Sequence, residues 1–143
     1  SAERTTGMIP HIAAFLGTGL VIALLDAVWL TQVGPRLYRP TLDPVLADKP
    51  NMTAAVVFYL VYVLGVVLLA VLPHRDAGLA RVALAGALLG AFAYATYDLT
   101  NQATLKAWST RISVIDIGWG TLLTTAGALA GVLAWRWATR FAG

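Results

Sequence analysis

The chain predicts an all-α fold, a four-helix transmembrane bundle, and three observations carry that reading. Of 143 residues, 59% are hydrophobic and only 12% are charged, about half the charged share of a soluble domain. Four apolar stretches, at about residues 10–33, 52–73, 79–105 and 112–135, each supply the roughly 20 residues needed to cross a hydrocarbon core of about 30 Å. The 10 lysines and arginines stand singly near the ends of those stretches, where a helix meets headgroups and water.

The first stretch, "IAAFLGTGLVIALLDAVWL" from Ile12, is long, contains Asp26 and has no basic leader, so it reads as a retained span and not as a signal peptide. Residues 1–7, "SAERTTG", are polar and are expected to be a disordered tail or a foreign remnant ahead of Met8. Residues 8–143 then form one four-span transmembrane domain. The first link, "GPRLYRPTLDPVLADKP" (34–50), carries Pro35, Pro40, Pro44 and Pro50, which forbid a continuous helix. Asp43 followed by Pro44 suits the start of one short helical turn. Leu37, Tyr38, Leu42, Val45 and Leu46 make this proline-rich loop apolar enough to lie on the membrane surface as an interfacial lid. The links "PHRDAG" (73–78) and "KAWSTR" (106–111) are short enough for tight hairpins between the remaining spans.

Following the carboxylates through this topology brings them to one depth. If the first helix starts on side A, it ends on side B, the second returns to A, the third ends on B and the fourth starts there. Asp26, Asp98 and Asp116 then each lie roughly 8–10 Å inside side B, at 1.5 Å per residue. A local echo joins two of them. "DAVWLT" (26–31) and "DIGWGT" (116–121) share Asp-x-x-Trp-x-Thr, which sets Asp26 with Trp29, and Asp116 with Trp119, one turn apart on a helix face. Small residues spaced by three or four from the acids, Gly120 and Gly127 behind Asp116 and Ala91 and Ala87 behind Asp98, allow close helix approach in lipid, so the acids face inward.

Three inward carboxylates near one membrane face are costly, about 2.5–3.5 kcal/mol each at a helix centre, unless they are protonated, paired or hydrated. The expected site is therefore an acidic and aromatic pocket open to side B. Asp26, Asp98, Asp116 and Asn101 line it, and Trp29, Trp119, Tyr59, Tyr62, Tyr94 and Tyr97 wall it. Like charges in such a layer favour retention of a proton, and aromatic walls suit an organic cation. The absence of cysteine excludes disulfides and thiolate chemistry. His11 and His74 fall toward side A, away from the acids, so no metal is assigned and no cofactor is named. The net charge of +3 is spread over helix ends, which argues against nucleic acid as a partner.

The segments "LLDAVWL", "KPNMTAAVVFYLVYVLG", "YDLTNQATLKAW" and "VIDIGWGTLLT" together resemble the bacterial integral-membrane family catalogued as domain of unknown function 2177, from about Ile9 to about Ala134. The resemblance implies a four-span protein of the bacterial inner membrane and brings no activity, substrate or catalytic residue with it. Gln102 stands where that family tends to have an apolar residue, and Ser109 where it tends to have proline.

Three functions of different classes fit these features. A protein binding or transporting a proton-coupled, cationic or amphiphilic small molecule follows from acids with aromatic walls. A lipid-modifying enzyme using the aspartates as general acid and base follows from their interfacial depth and the lid. A structural or accessory subunit follows if the polar layer only holds helix register. Membrane lipids are partners in each case, and transport through so small a bundle favours a homodimer. Basic residues divide evenly between the faces, Arg4, Arg75, Arg81, Arg136 and Arg140 on A against Arg36, Arg39, Lys49, Lys106 and Arg111 on B, so they assign no orientation.

Overall fold

The computed structural model describes residues 2–142, with side chains from 7 to 141. It is all-helical. Helix α1 (Ala2–Gln32) leads into two single turns, α2 (Gly34–Leu37) and α3 (Arg39–Leu42), and a 3₁₀ turn at Asp43–Val45. Helix α4 (Met52–Val66) continues through a widened π turn (Val67–Val71) and a 3₁₀ turn (Leu72–His74), followed by α5 (Leu79–Thr104) and α6 (Thr110–Ala142). Four segments are long and apolar enough to cross a membrane, Gly7–Gln32, Met52–His74, Leu79–Thr104 and Thr110–Phe141, with mean hydropathies of 2.0, 2.9, 1.5 and 1.5. Of the expected tail, Ser1 lies outside the described residues, and residues 2–6 are helical backbone.

Local chemistry explains the boundaries. Asn51 caps α4, its side-chain oxygen accepting from the Ala54 N–H at 3.1 Å. The π turn ends two residues before Pro73, and the Leu72 N–H reaches back to the Val67 carbonyl. A widened turn there eases the clash that the proline ring would make with the carbonyl four residues earlier. Ser109 caps α6, its hydroxyl accepting from the Ile112 N–H at 3.1 Å. Gln102 reaches across the same hairpin, donating to the Thr110 hydroxyl at 2.8 Å and accepting from the Ser113 hydroxyl at 2.6 Å. Both side chains thus fasten the α5–α6 turn.

Helix α6 is the axis of the bundle and packs along both α1 and α5. Glycine makes this possible. A methyl group on Gly90 would lie 2.7 Å from Thr124 Oγ1, and one on Gly86 would lie 3.0 Å from Ala128 Cβ. On the other flank, a methyl on Gly127 would lie 2.7 Å from Ile22, and one on Gly17 would lie 2.9 Å from Ala134. The Thr18 hydroxyl donates to the Gly127 carbonyl at 2.9 Å, a direct α1–α6 bond between fully buried groups. In lipid such close packing and interhelical hydrogen bonds drive association, because the tails are as apolar as the side chains. The outward faces, including Leu16, Leu20, Leu24, Phe92, Leu122 and Phe141, are exposed hydrocarbon.

Helix α4 is attached unevenly. Its last turns, with Val66, Val67, Ala70 and Val71 buried, pack on α1, α5 and α6, whereas its first half contacts mainly α1. A gap therefore opens at the end of the bundle where α4 begins. The link at residues 34–50 folds over that gap as a cap, held by a second small core in which buried Leu37 and Leu42 meet Ile112, Trp29, Trp108 and Ile115. Short helical turns at Pro35, Pro40 and Pro44 build the cap, each proline taking a first-turn position that has no intrahelical use for an N–H. Asp43 lies inside the 3₁₀ turn and its side chain does not cap it, a correction to the expected pairing with Pro44.

Candidate functional site

Beneath the cap lies a cavity of about 990 Å³. Its lining draws Asp26 and Trp29 from α1, Tyr62 from α4, Tyr94 and Tyr97 from α5, and Asp116 and Trp119 from α6. The cap contributes Tyr38, Arg39, Leu42 and Leu46, and the α5–α6 turn contributes Trp108. Three residues expected in the wall do not line it. Tyr59 stands behind Asp26, Asn101 lies beside Tyr97, and Asp98 is fully enclosed behind Asp116.

The Asp-x-x-Trp echo has a structural meaning, because α1 and α6 run antiparallel and present their pairs to each other. The indoles of Trp29 and Trp119 stack, with centroids 4.4 Å apart and planes 7° from parallel. Trp119 Nε1–H donates across the interface to Asp26 Oδ1 at 3.2 Å. The reciprocal bond is relayed: Trp29 Nε1–H donates to the Tyr38 hydroxyl oxygen at 2.7 Å, and the Tyr38 O–H donates to Asp116 Oδ1. Each tryptophan thus serves the carboxylate of the opposite helix, directly on one side and through a cap tyrosine on the other.

The three acids are unequally provided for. Asp26 accepts from two donors, Tyr59 O–H and Trp119 N–H, one on each oxygen. Asp116 accepts from Tyr38 on one oxygen. Asp98 is 0% exposed, and neither of its carboxyl oxygens has a donor among the described residues. Its one close polar neighbour is the Asp116 carboxyl, within hydrogen-bonding reach. Among the described residues no three of His, Cys, Asp and Glu gather tightly enough to hold a metal. The layer expected from helix depth thus resolves into a facing pair, Asp98 with Asp116, and an Asp26 served by two donors of its own.

Glycine also shapes this end. A methyl on Gly120 would collide with the Tyr94 ring, so α6 keeps bare backbone where that ring lies flat against it. Tyr94 then forms the floor of the cavity beside Tyr62, which is hydrogen-bonded to Thr124, and the two rings meet edge to face at 6.4 Å. Tyr97 meets Trp108 edge to face at 5.8 Å at the mouth.

Tyr38 is the residue that sequence reasoning misplaced. It was expected on the membrane surface, yet it turns inward and joins cap to acid. Burial first, and its hydrogen bond to Asp116 second, push its phenol well above the ordinary value of 10.0, so it stays a donor across neutral pH. Its one signal in the sequence was its position between Pro35 and Pro40, a stretch too rigid to lie loose.

Chemically, the arrangement offers a large aromatic chamber with negative charge at its wall and a buried carboxyl pair behind. No curated protein and no solved structure matches the chain. A family model does, described as "Predicted membrane protein (DUF2177)", over residues 11–133, most of the length and all four membrane-spanning helices. The chain belongs to that family of membrane proteins.

Proposed function

We propose that this protein binds, and passes across the membrane, an amphiphilic molecule with a cationic head, in the inner membrane of a bacterium. The observation that carries the reading is the cavity itself. About 990 Å³ is drug-sized or larger, its wall is rich in aromatic rings, and of its charged lining Asp26 and Asp116 are buried whereas Arg39, Asp43 and Asp48 on the cap are exposed. An aromatic face and a carboxylate together favour a weakly hydrated organic cation over a metal ion, which demands more oxygen ligands than this wall supplies. The cap and the lipid-facing helices around it suit a molecule with an apolar body that arrives from the bilayer. Acid–base chemistry on a lipid is less well supported, since the most isolated carboxyl, Asp98, is shut away from the cavity.

The test uses two ions of one shape and opposite charge. Purified protein in neutral detergent is titrated with tetraphenylphosphonium while its tryptophan fluorescence is followed, because Trp29, Trp108 and Trp119 all line the chamber. Saturable quenching is expected with tetraphenylphosphonium, weakened at least about tenfold in affinity by Asp116→Asn, a loss of roughly 1.4 kcal/mol. Equal binding of tetraphenylborate, or quenching that never saturates, would sink the reading.

A further inference from the structure

Asp98 is the least explained group in the molecule. It is completely buried, neither of its oxygens has a donor among the described residues, and it faces another carboxyl. A carboxylate left so would carry an uncompensated charge in a low-dielectric layer, a cost far larger than that of an ordinary unpaired polar group. We propose that Asp98 and Asp116 together form a proton site, one proton shared between two carboxyls, and that a cation entering the cavity displaces this proton. The proposal rests on the cation-binding reading for its second half only.

The geometry selects a proton over a metal ion. Hydrogen-bonding reach between two carboxyls fits one bridging hydrogen, and among the described residues no third carboxylate or histidine gathers with them as a hard cation would require. The two acids also differ in access, since Asp116 lines the cavity and Asp98 does not. The proton therefore leaves by way of Asp116.

The surroundings hold this site in one state at a time. From the cap, the Tyr38 O–H donates to Asp116 Oδ1 and, its proton being firmly held, supplies a hydrogen bond but no charge. From α5, Tyr94 and Tyr97 lie close, and Tyr97 feels both acids. From α1, Asp26 faces Tyr94 from the other side and is already satisfied by Tyr59 of α4 and Trp119 of α6. Arg39 lies in the cavity wall on the cap. With the proton in place the pair carries a single negative charge. When a cation settles against Asp116, the proton departs to water in the cavity, the pair carries two negative charges, and the cation restores the total. One positive charge enters and one leaves, so the layer keeps its net charge through the exchange.

Two measurements test the two halves separately. Infrared difference spectra of the unliganded protein at neutral pH should contain the C=O stretch of a protonated, buried carboxyl, and Asp98→Asn should remove it. Absence of that band from the wild-type protein overturns the proton site, whatever the protein binds. In weakly buffered detergent solution, saturation with tetraphenylphosphonium should release about one proton per bound cation and abolish the same band. Asp98→Asn should release none, and its affinity should no longer vary with pH. Release from that variant equal to wild type, or a wild-type band untouched by bound cation, overturns the exchange. If wild-type protein shows the band yet binds no tetraphenylphosphonium, the proton site stands and the cation reading falls. In Asp116→Asn the band should persist but shift in frequency, because the carboxyl facing Asp98 has become an amide; an unshifted band would overturn the shared proton even if Asp98→Asn fails to fold.

Discussion

The two ends of this bundle are built from the same helices and behave oppositely. Where α4 ends, Val66, Ala70, Val71, Val82, Ala128 and Val132 fill the centre and are each 0% exposed. Where α4 begins, the same four helices present Tyr59, Tyr62, Tyr94, Trp29 and Trp119, and a chamber of about 990 Å³ stands open. Small side chains let backbones meet and leave no room, whereas aromatic rings prop helices apart and cannot fill the space between them. Polar bonds then replace packing: Trp29, Tyr38, Tyr59, Tyr62 and Trp119 are each tied to a carboxylate, a threonine or a neighbouring ring. The difference teaches that residue size along a helix can decide where a membrane bundle is a solid and where it is a vessel.

The strongest way to break the comparison is to thicken the solid end and thin nothing. Gly90→Ala places a methyl 2.7 Å from Thr124 Oγ1 and against the Gly120 carbonyl, an obstacle that is partly backbone and cannot rotate away. A loss of about 3 kcal/mol is expected, the upper end of overpacking costs. Gly118→Ala makes the same chemical change on the neighbouring helix α6 but meets nothing within 4 Å, and it should be neutral or stabilising by up to about 1 kcal/mol. Reversible unfolding in mixed micelles followed by circular dichroism compares them. Equal effects would mean that close approach of α5 and α6 is not what holds this end together.

A smaller effect is expected at the open end, where hydrogen bonds replace packing. Tyr38→Phe keeps the ring but removes the donor to Asp116 and the acceptor for Trp29. The cap should loosen by about 2 kcal/mol while the bundle stays folded. The chain has no cysteine, so Lys49→Cys gives one site for a spin label whose mobility reports the cap. The same label reads a pH dependence. Because the Tyr38 phenol is raised in the folded state, its contribution is fully present below its ordinary value of 10.0 and is lost as pH rises from there toward the folded value. Label mobility should therefore stay flat through neutral pH and rise in strong alkali, and Tyr38→Phe should make it high and flat throughout. A wild-type label that loosens between pH 6 and 8 would show that Tyr38 is not the latch.

The smallest effect sharpens the boundary between the two ends. Ser109→Ala removes the cap of α6 at the hairpin that borders the chamber, where Trp108 and Gln102 are already anchored on Ser113. A loss of about 1 kcal/mol is expected in the same unfolding measurement. Tetraphenylphosphonium affinity should follow only if the hairpin positions Trp108, which lines the cavity.

The four spans and the inward direction of their acids were determined by the sequence alone, whereas α6 runs on to Ala142, past its expected end near residue 135. Hydrocarbon thickness fixes span length, an unpaired backbone in lipid forbids anything but helix, and an aspartate in a span must turn inward; all three are local consequences of composition. Depth along each helix likewise brought Asp26, Asp98 and Asp116 to the same end. Which acid meets which donor was decided only by tertiary structure, because rotation about a helix axis and the distance between axes come from packing. The glycines of α6 set those distances, pressing Tyr94 onto Gly120 and leaving α4 splayed at its start. The path of the cap was equally hidden: three prolines announced short turns, but Tyr38 reaches Asp116 across 78 positions of sequence, a contact that no local pattern encodes. Asp98 shows the limit most plainly. Its neighbours on its own helix, Tyr94, Tyr97 and Asn101, all carry donors, yet in the folded chain none of them donates to it, and its partner is a second carboxyl on the next helix.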